Sequence, residues 1–175
     1  PVAPHPVTGG RMLGFSPNGA ELYLPVGSAT GSGTGTGMVA IDLATGAKTA
    51  PAGIDPKSYD PRKVRNDPAM SHPAPPNNAG LLRLPNTGVV YYVKGATGVE
   101  QVVLPVEGGG MWGMLSGFIA LARDGNTVRG LTFYEQKETP GLGGEIANPK
   151  WQALWVGRKA FDANWAPQLT VIKGQ

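Results

Sequence analysis

The run SGFIALARDGNTVRGLTFYEQ, residues 116–136, is two apolar stretches on either side of one turn signal. Asp124-Gly125-Asn126 carries that signal. An Asp-Gly pair supplies the positive φ that a tight connection between right-twisted strands requires, and this is the strongest hairpin mark in the chain. In the strand after it, Val128, Gly130, Thr132 and Tyr134 are expected on one face, and Arg129, Leu131, Phe133 and Glu135 on the other. A period of two means a sheet with two different faces, so the neighbouring segments have to supply its other strands.

N-terminal to this hairpin, GLLRLPNTGVVYYVKGATGVEQVVLPV (80–106) reads as a meander. It has a strand, a turn at Pro85-Asn86-Thr87-Gly88, a strand over 89–94, a turn at 95–98 and a strand over 99–106. C-terminal to it, Asn148 followed by Pro149 forms a helix start, and KWQALWVG fills two turns before Gly157 ends them. Trp151, Leu154 and Trp155 then share one helix face by spacing, and QLTVIKG (168–174) is a closing strand. The expected fold is α+β: a single domain with a largely antiparallel twisted sheet, a few short helices and long Gly/Pro-rich loops.

Residues 1–80 differ in texture from the main core at 81–175, being rich in Gly, Pro, Ser and Thr. The low-complexity run GSATGSGTGTG (27–37) lies between AELYLPV and MVAIDLATGAK, which suggests a hairpin with a loose loop. SYDPRKVRNDPAMSHPAPPNNAG (58–80) holds five prolines and no sustained period, and is expected to run over the surface as a long connection. Taken together, residues 1–175 read as one domain.

The 27 glycines and 17 prolines are a quarter of the 175 residues, consistent with that loop content. A net charge of +3 comes from scattered Lys and Arg, concentrated only in PRKVR (61–65), too thin for a nucleic-acid surface. With no cysteine there is no disulfide framework, zinc thiolate site or thiol chemistry. No apolar run approaches the roughly 18 residues of a membrane span, and the opening PVAPHPVTGG suggests a chain that begins inside a longer gene product.

Between the hairpin and the helix, ETPGLGGE (138–145) packs one proline and three glycines between two glutamates. Such a loop permits φ > 0 and lets backbone N–H groups approach something closely. Either it holds a planar or anionic ligand, or it turns a sharp corner with Glu138 bonded to backbone amides. Trp112, after a triple glycine, is core, interface or pocket wall; Tyr134 is a hydrogen-bonding core residue or a pocket neighbour. His5 and His72 lie in proline-rich segments without a third ligand, and no metal site is assigned. Ser116 lacks the G-x-S-x-G setting of a hydrolase nucleophile.

The series GLTFYE, ETPGLGGE and NPKW, within a continuous stretch at 104–161, resembles the periplasmic domain of the C subunit of the sodium-translocating NADH:quinone oxidoreductase, an FMN-binding-domain family. Weaker likeness reaches back through VVYYVKG, YDPRK and VAIDLATG. The G subunit of the Rnf electron-transport complex shares a version of ETPGLG, but its neighbours fit less well. The resemblance implies an electron-transfer subunit of an NADH:quinone reductase, anchored by a membrane helix, with this domain on the periplasmic side of a bacterial inner membrane. It implies FMN held by a phosphoester to a threonine, other membrane subunits as partners, and a flavin transferase for maturation. The cofactor contacts it implies are Glu138, Thr139, Leu142 and Gly143, with Tyr134 and Trp112 as further candidates. The chain alone is not expected to be catalytic.

In this family the attachment motif S-G-A-T-x-[ST] follows the closing strand, so the acceptor threonine is expected beyond Gln175, and the membrane anchor is likewise absent from the 175 residues. Two near matches, GSATGS (27–32) and KGATGV (94–99), have the wrong residue order or place Val99 where a hydroxyl is needed. Both are read as turns. Alternatives from other classes are a cofactor-free structural domain of this or the Rnf-type complex, and a free-standing flavin-binding protein.

Overall fold

Apolar alternation over residues 87–135 is realised as four consecutive antiparallel strands. The computed structural model describes residues 14–15, 22–23 and 37–171. In chain order the described strands and helices are β1 (Gly14–Phe15), β2 (Leu22–Tyr23), β3 (Gly37–Asp42), β4 (Lys48–Thr49), α1 (Pro61–Val64), β5 (Ser71–Pro73), β6 (Arg83–Pro85), β7 (Thr87–Gly95), β8 (Gly98–Gly109), β9 (Met114–Ala122), β10 (Val128–Glu135), a 3-10 helix (Gly143–Ala147) and α2 (Pro149–Ala153). The main sheet is six-stranded in the order β10-β9-β8-β7-β3-β4. It is antiparallel except for β3 against β7, so the α+β class expected from the sequence is the class observed.

The parallel pair explains the middle of the chain. Parallel neighbours cannot be joined by a tight turn and need a long crossover. Residues 43–86 provide it, and they are more ordered than a plain surface connection. Asp60 caps α1 by accepting from the Arg62 N–H at 3.0 Å, with Pro61 at the first helical position. Arg65 reaches Glu107 on β8 at 2.6 Å, and the Tyr59 hydroxyl donates to the Thr87 carbonyl. β5 pairs with β6 as a separate two-stranded sheet, where a non-central strand tolerates Pro73 and Pro85. The turn expected at 85–88 is therefore absent. Thr87 and Gly88 extend β7 because Gly37 and Met38 of β3 pair with them.

One sheet face carries most of the buried side chains, while Val39 is buried on the other. Leu121, Val128 and Ala160 are buried together, with Leu104, Ile119, Trp155, Phe161, Trp165 and Leu169 packed against them. Val90, Val99 and Val102 form a second buried cluster, so Val99 of KGATGV is a core residue in the β7–β8 hairpin. Tyr91, Phe118 and Tyr134 lie on the opposite face, beneath α1.

Four expectations need correction. The face assignment of β10 fails at both ends. At its start a bulge between Val128 and Gly130 sets two residues against Leu121, which moves Val128 onto the face of Leu131 and Phe133. At its end an irregularity between Phe133 and Glu135 sets Glu135 opposite Ser116, on the face of Tyr134, where it meets Arg62 of α1. The expected pairing of the AELYLPV and MVAIDLATGAK segments is not the one observed. Leu22–Tyr23 pairs with Gly14–Phe15, while β3 lies between β7 and β4; most of GSATGSGTGTG lies outside the described residues. α2 stops at Ala153, and residues 154–156 continue with i→i−3 hydrogen bonds to Trp151, Gln152 and Ala153. That tighter winding keeps Trp155 against Trp151 but leaves Leu154 exposed. Residues 168–171 are not a strand; the Gln168 N–H donates to the Ala160 carbonyl, and 172–174 lie outside the described residues.

Candidate functional site

Two connections at the same end of the sheet meet around one side chain. The first is the β8–β9 turn, closed by the Gly110 N–H donating to the Gly113 carbonyl at 2.7 Å. The second is the loop after β10. There the Gln136 side-chain oxygen accepts from the Glu138 N–H at 2.6 Å, and the Thr139 carbonyl accepts from both Leu142 N–H (3.0 Å) and Gly144 N–H (2.9 Å). The Glu138 carboxylate spans the two: its Oε1 accepts from the Trp112 N–H at 3.0 Å.

The glycines of this region do two different jobs. Of the three in ETPGLGG, only Gly141 has a positive φ, +77°, and serves as the conformational hinge. Gly143 and Gly144 provide space. A Cβ on Gly143 would stand 2.6 Å from Glu138 Oε2, and one on Gly144 would stand 2.9 Å from the Thr139 carbonyl oxygen. Gly110 is the counterpart across the gap, since a Cβ there would overlap Glu138 Oε1. The reading of this loop as a run of φ > 0 positions therefore holds at one glycine only.

Around the carboxylate, large apolar side chains face solvent. Trp112 is 63% exposed, Leu142 72% and Met111 82%. Thr139 is exposed as well. Exposed aromatic and aliphatic surface on two braced loops, with a hydroxyl beside it, suits a flat and largely apolar ligand. Tyr134 sits elsewhere. It stacks on Phe118 at 5.2 Å and lines a groove of about 460 Å³ beneath α1, together with Tyr59, Arg62 and Tyr91. Glu138, Thr139, Leu142, Gly143 and Trp112 do not line that groove. Burial raises the Tyr91 hydroxyl above its ordinary pKa, with Tyr134 adding to the effect.

His72 Nδ1 pairs with Asn86 Oδ1 at 2.9 Å, joining β5 to the residue before β7; His5 lies outside the described residues. Ser116 is buried within β9. Among the described residues no cluster of three metal-ligating side chains occurs, and no helix is long and apolar enough to cross a membrane. Sequence reasoning bonds Glu138 to backbone amides in one reading of the loop, but it does not identify Trp112 as the partner and it misses the α1 groove, because both depend on residues 26 or more positions apart.

Residues 110–173, from the β8–β9 turn through α2 and beyond, match the FMN-binding domain family. The chain resembles the FMN-binding-domain family over this segment, which contains the whole two-loop assembly. Its relatives are more specific. It is 48% identical over 138 residues to the C subunit of the Na(+)-translocating NADH-quinone reductase of Vibrio parahaemolyticus, covering 77% of this chain and 53% of that one. The corresponding protein of Pseudomonas aeruginosa is 45% identical over 136 residues, covering 77% and 51%. A crystal structure of Shewanella oneidensis NqrC superposes with a TM-score of 0.65 at 30% identity, over 79% of this chain and 63% of that one. The chain thus spans about half the length of these curated relatives, which are named as a component of an oxidoreductase.

The side chains of the two-loop assembly are of the kinds an isoalloxazine ring would need. Trp112 and Leu142 offer apolar cover, Thr139 offers a hydrogen-bonding hydroxyl, and Gly141 leaves the loop crest without a side chain.

Proposed function

We propose that this chain is the FMN-bearing part of an electron-transfer subunit in a sodium-translocating NADH:quinone reductase. In this reading a threonine of an S-G-A-T-x-[ST] motif downstream of residue 175 carries FMN through a phosphoester. The domain works on the periplasmic side of a bacterial inner membrane beside the other membrane subunits, after maturation by a flavin transferase. The flavin supplies the redox chemistry when bound. The protein's part is to hold the ring, exclude water from one face and set the polarity at its edge. Leu142 and Trp112 cover apolar ring surface, while Thr139 donates to or accepts from the ring edge. Glu138 and Gly143 keep the loops that bear them together.

The observation that carries this reading is the exposure of Trp112 and Leu142 on two loops braced by Glu138, inside the segment that matches FMN-binding domains. Its test uses the protein extended through the attachment motif and flavinylated. Leu142→Ala and Trp112→Ala should raise iodide quenching of the flavin and blunt its absorbance fine structure. Thr139→Val should shift the reduction potential with little change in quenching. If all three variants match the parent in all three measurements, the loops form a structural corner and the cofactor-free reading is the better one.

A further inference from the structure

We infer that Glu138 is a positioning residue: it acts on the flavin site through Trp112 and Gly143, by serving as the shared brace of the two loops, and makes no contact with the ring itself. The inference rests on the reading of the site given above. Its geometry is independent of that reading. One carboxylate oxygen, Oε1, accepts the Trp112 N–H at 3.0 Å and lies where a Cβ of Gly110 would be. The other, Oε2, lies 2.6 Å from where a Cβ of Gly143 would be.

Each oxygen therefore has its own glycine, one from each loop. Neither glycine has a positive φ, so the local backbone conformation would accept alanine at both. A methyl at either position would have to push the Glu138 carboxylate aside, and at Gly110 it would also meet Leu115 Cδ2 at 3.0 Å. The side chain is itself held from behind, since the Glu138 N–H donates to Gln136 Oε1 at 2.6 Å. A group anchored at its backbone and seated between two loops transmits any displacement of one loop to the other. Trp112 is fixed by its backbone N–H, while its ring remains 63% exposed and free to cover a ligand. Leu142 immediately precedes the glycine that receives Oε2. Removing the carboxylate would release both covering residues at once, whereas shaving either covering residue alters only one.

Glutamine preserves both the length and the acceptor oxygen, so Glu138→Gln should leave the brace in place. Glu138→Ala removes it, and Gly110→Ala displaces it with a methyl group. The experiment is hydrogen exchange by mass spectrometry on the peptide containing Gly110–Met114, run on the full-length flavinylated protein and paired with a redox titration. With Glu138→Ala and Gly110→Ala, exchange at the Trp112 amide should quicken about five- to tenfold, the scale of one lost hydrogen bond. The flavin potential should move in the same direction in both variants. Glu138→Gln should match the parent in exchange at the Trp112 amide, and in the titration it isolates the effect of losing the negative charge from that of losing the brace. Should Glu138→Ala fail to fold, Glu138→Asp, one methylene too short to seat both loops, carries the same test.

Unchanged exchange in Glu138→Ala overturns the brace, and so does exchange in Glu138→Gln as fast as in Glu138→Ala. Faster exchange with an unmoved flavin potential overturns the positioning role. In that case Trp112→Ala and Leu142→Ala separate the two failures: if they still perturb the flavin, the site stands and Glu138 does not position it; if they do not, the reading of the site has failed.

Discussion

Gly117 on β9 lies so close to the Thr132 carbonyl on β10 that a Cβ at position 117 would overlap that oxygen. The same Cβ would stand 2.9 Å from Phe133 Cδ1. The obstacle is backbone held in a ladder, because Gly117 pairs with Phe133 beside a bulge. Gly117→Ala should therefore cost about 3 kcal/mol, at the severe end of overpacking. Urea denaturation of the apo domain measures it, and a midpoint equal to the parent's would show that the strands part more easily than this contact implies.

Gly143 tests a softer obstacle, the side chain of Glu138. Gly143→Ala should cost about 1 to 3 kcal/mol by overpacking. In a Glu138→Ala background that cost should fall, because the carboxylate is gone, yet persist in part, because Glu138 Cβ itself stands 3.0 Å from the added methyl. A double-mutant cycle on denaturation midpoints gives the coupling. Simple additivity would remove Glu138 as the occupant of that space.

Asn148 joins two short helices. Its Oδ1 accepts from the Lys150 N–H at 3.0 Å at the start of α2, and its Nδ2 donates to Glu145 Oε2 at 2.7 Å on the 3-10 helix. Asn148→Ala should lose about 1 kcal/mol, the ordinary value of such a cap. Thermal denaturation checks the loss, and Asn148→Asp should recover the α2 cap while placing a second carboxylate beside Glu145.

Asp124 holds the β9–β10 hairpin closed. Burial would raise its pKa, but hydrogen bonds from the Thr127 hydroxyl, the Thr127 and Asn126 N–H groups and the Lys159 ammonium outweigh it and hold the carboxyl well below 3.8. A depressed carboxylate contributes stability above its unfolded pKa and loses it as pH falls through the folded value. The stability difference between the parent and Asp124→Asn, which keeps an acceptor for the turn amides, should be about 1 kcal/mol or less for so exposed a group. It should be constant from pH 7 to about 5 and shrink below about pH 4. Denaturation midpoints across that range decide it; a difference that grew toward acid would contradict the assigned sign.

What the sequence determined by itself lies where the physics is local. The Asp124-Gly125-Asn126 turn, the 95–98 turn between β7 and β8 and the Asn148-Pro149 cap each depend on neighbours a few residues away, and each appears as read. The motif series pointed to the FMN-binding-domain family because it is continuous over residues that fold as one piece. Tertiary structure decided the rest. The parallel β3–β7 pair makes residues 58–80, read as a surface connection, part of a crossover with its own helix and strands, and no local period announces a pairing partner 50 residues away. A single extra residue in β10 turned Val128 to the other face, since a period of two has no tolerance for a bulge. In the loop, sequence showed three glycines and one shared explanation. The fold assigns Gly141 to backbone conformation and Gly143 to the room taken by Glu138, because only the folded chain brings that carboxylate between Gly110 and Gly143.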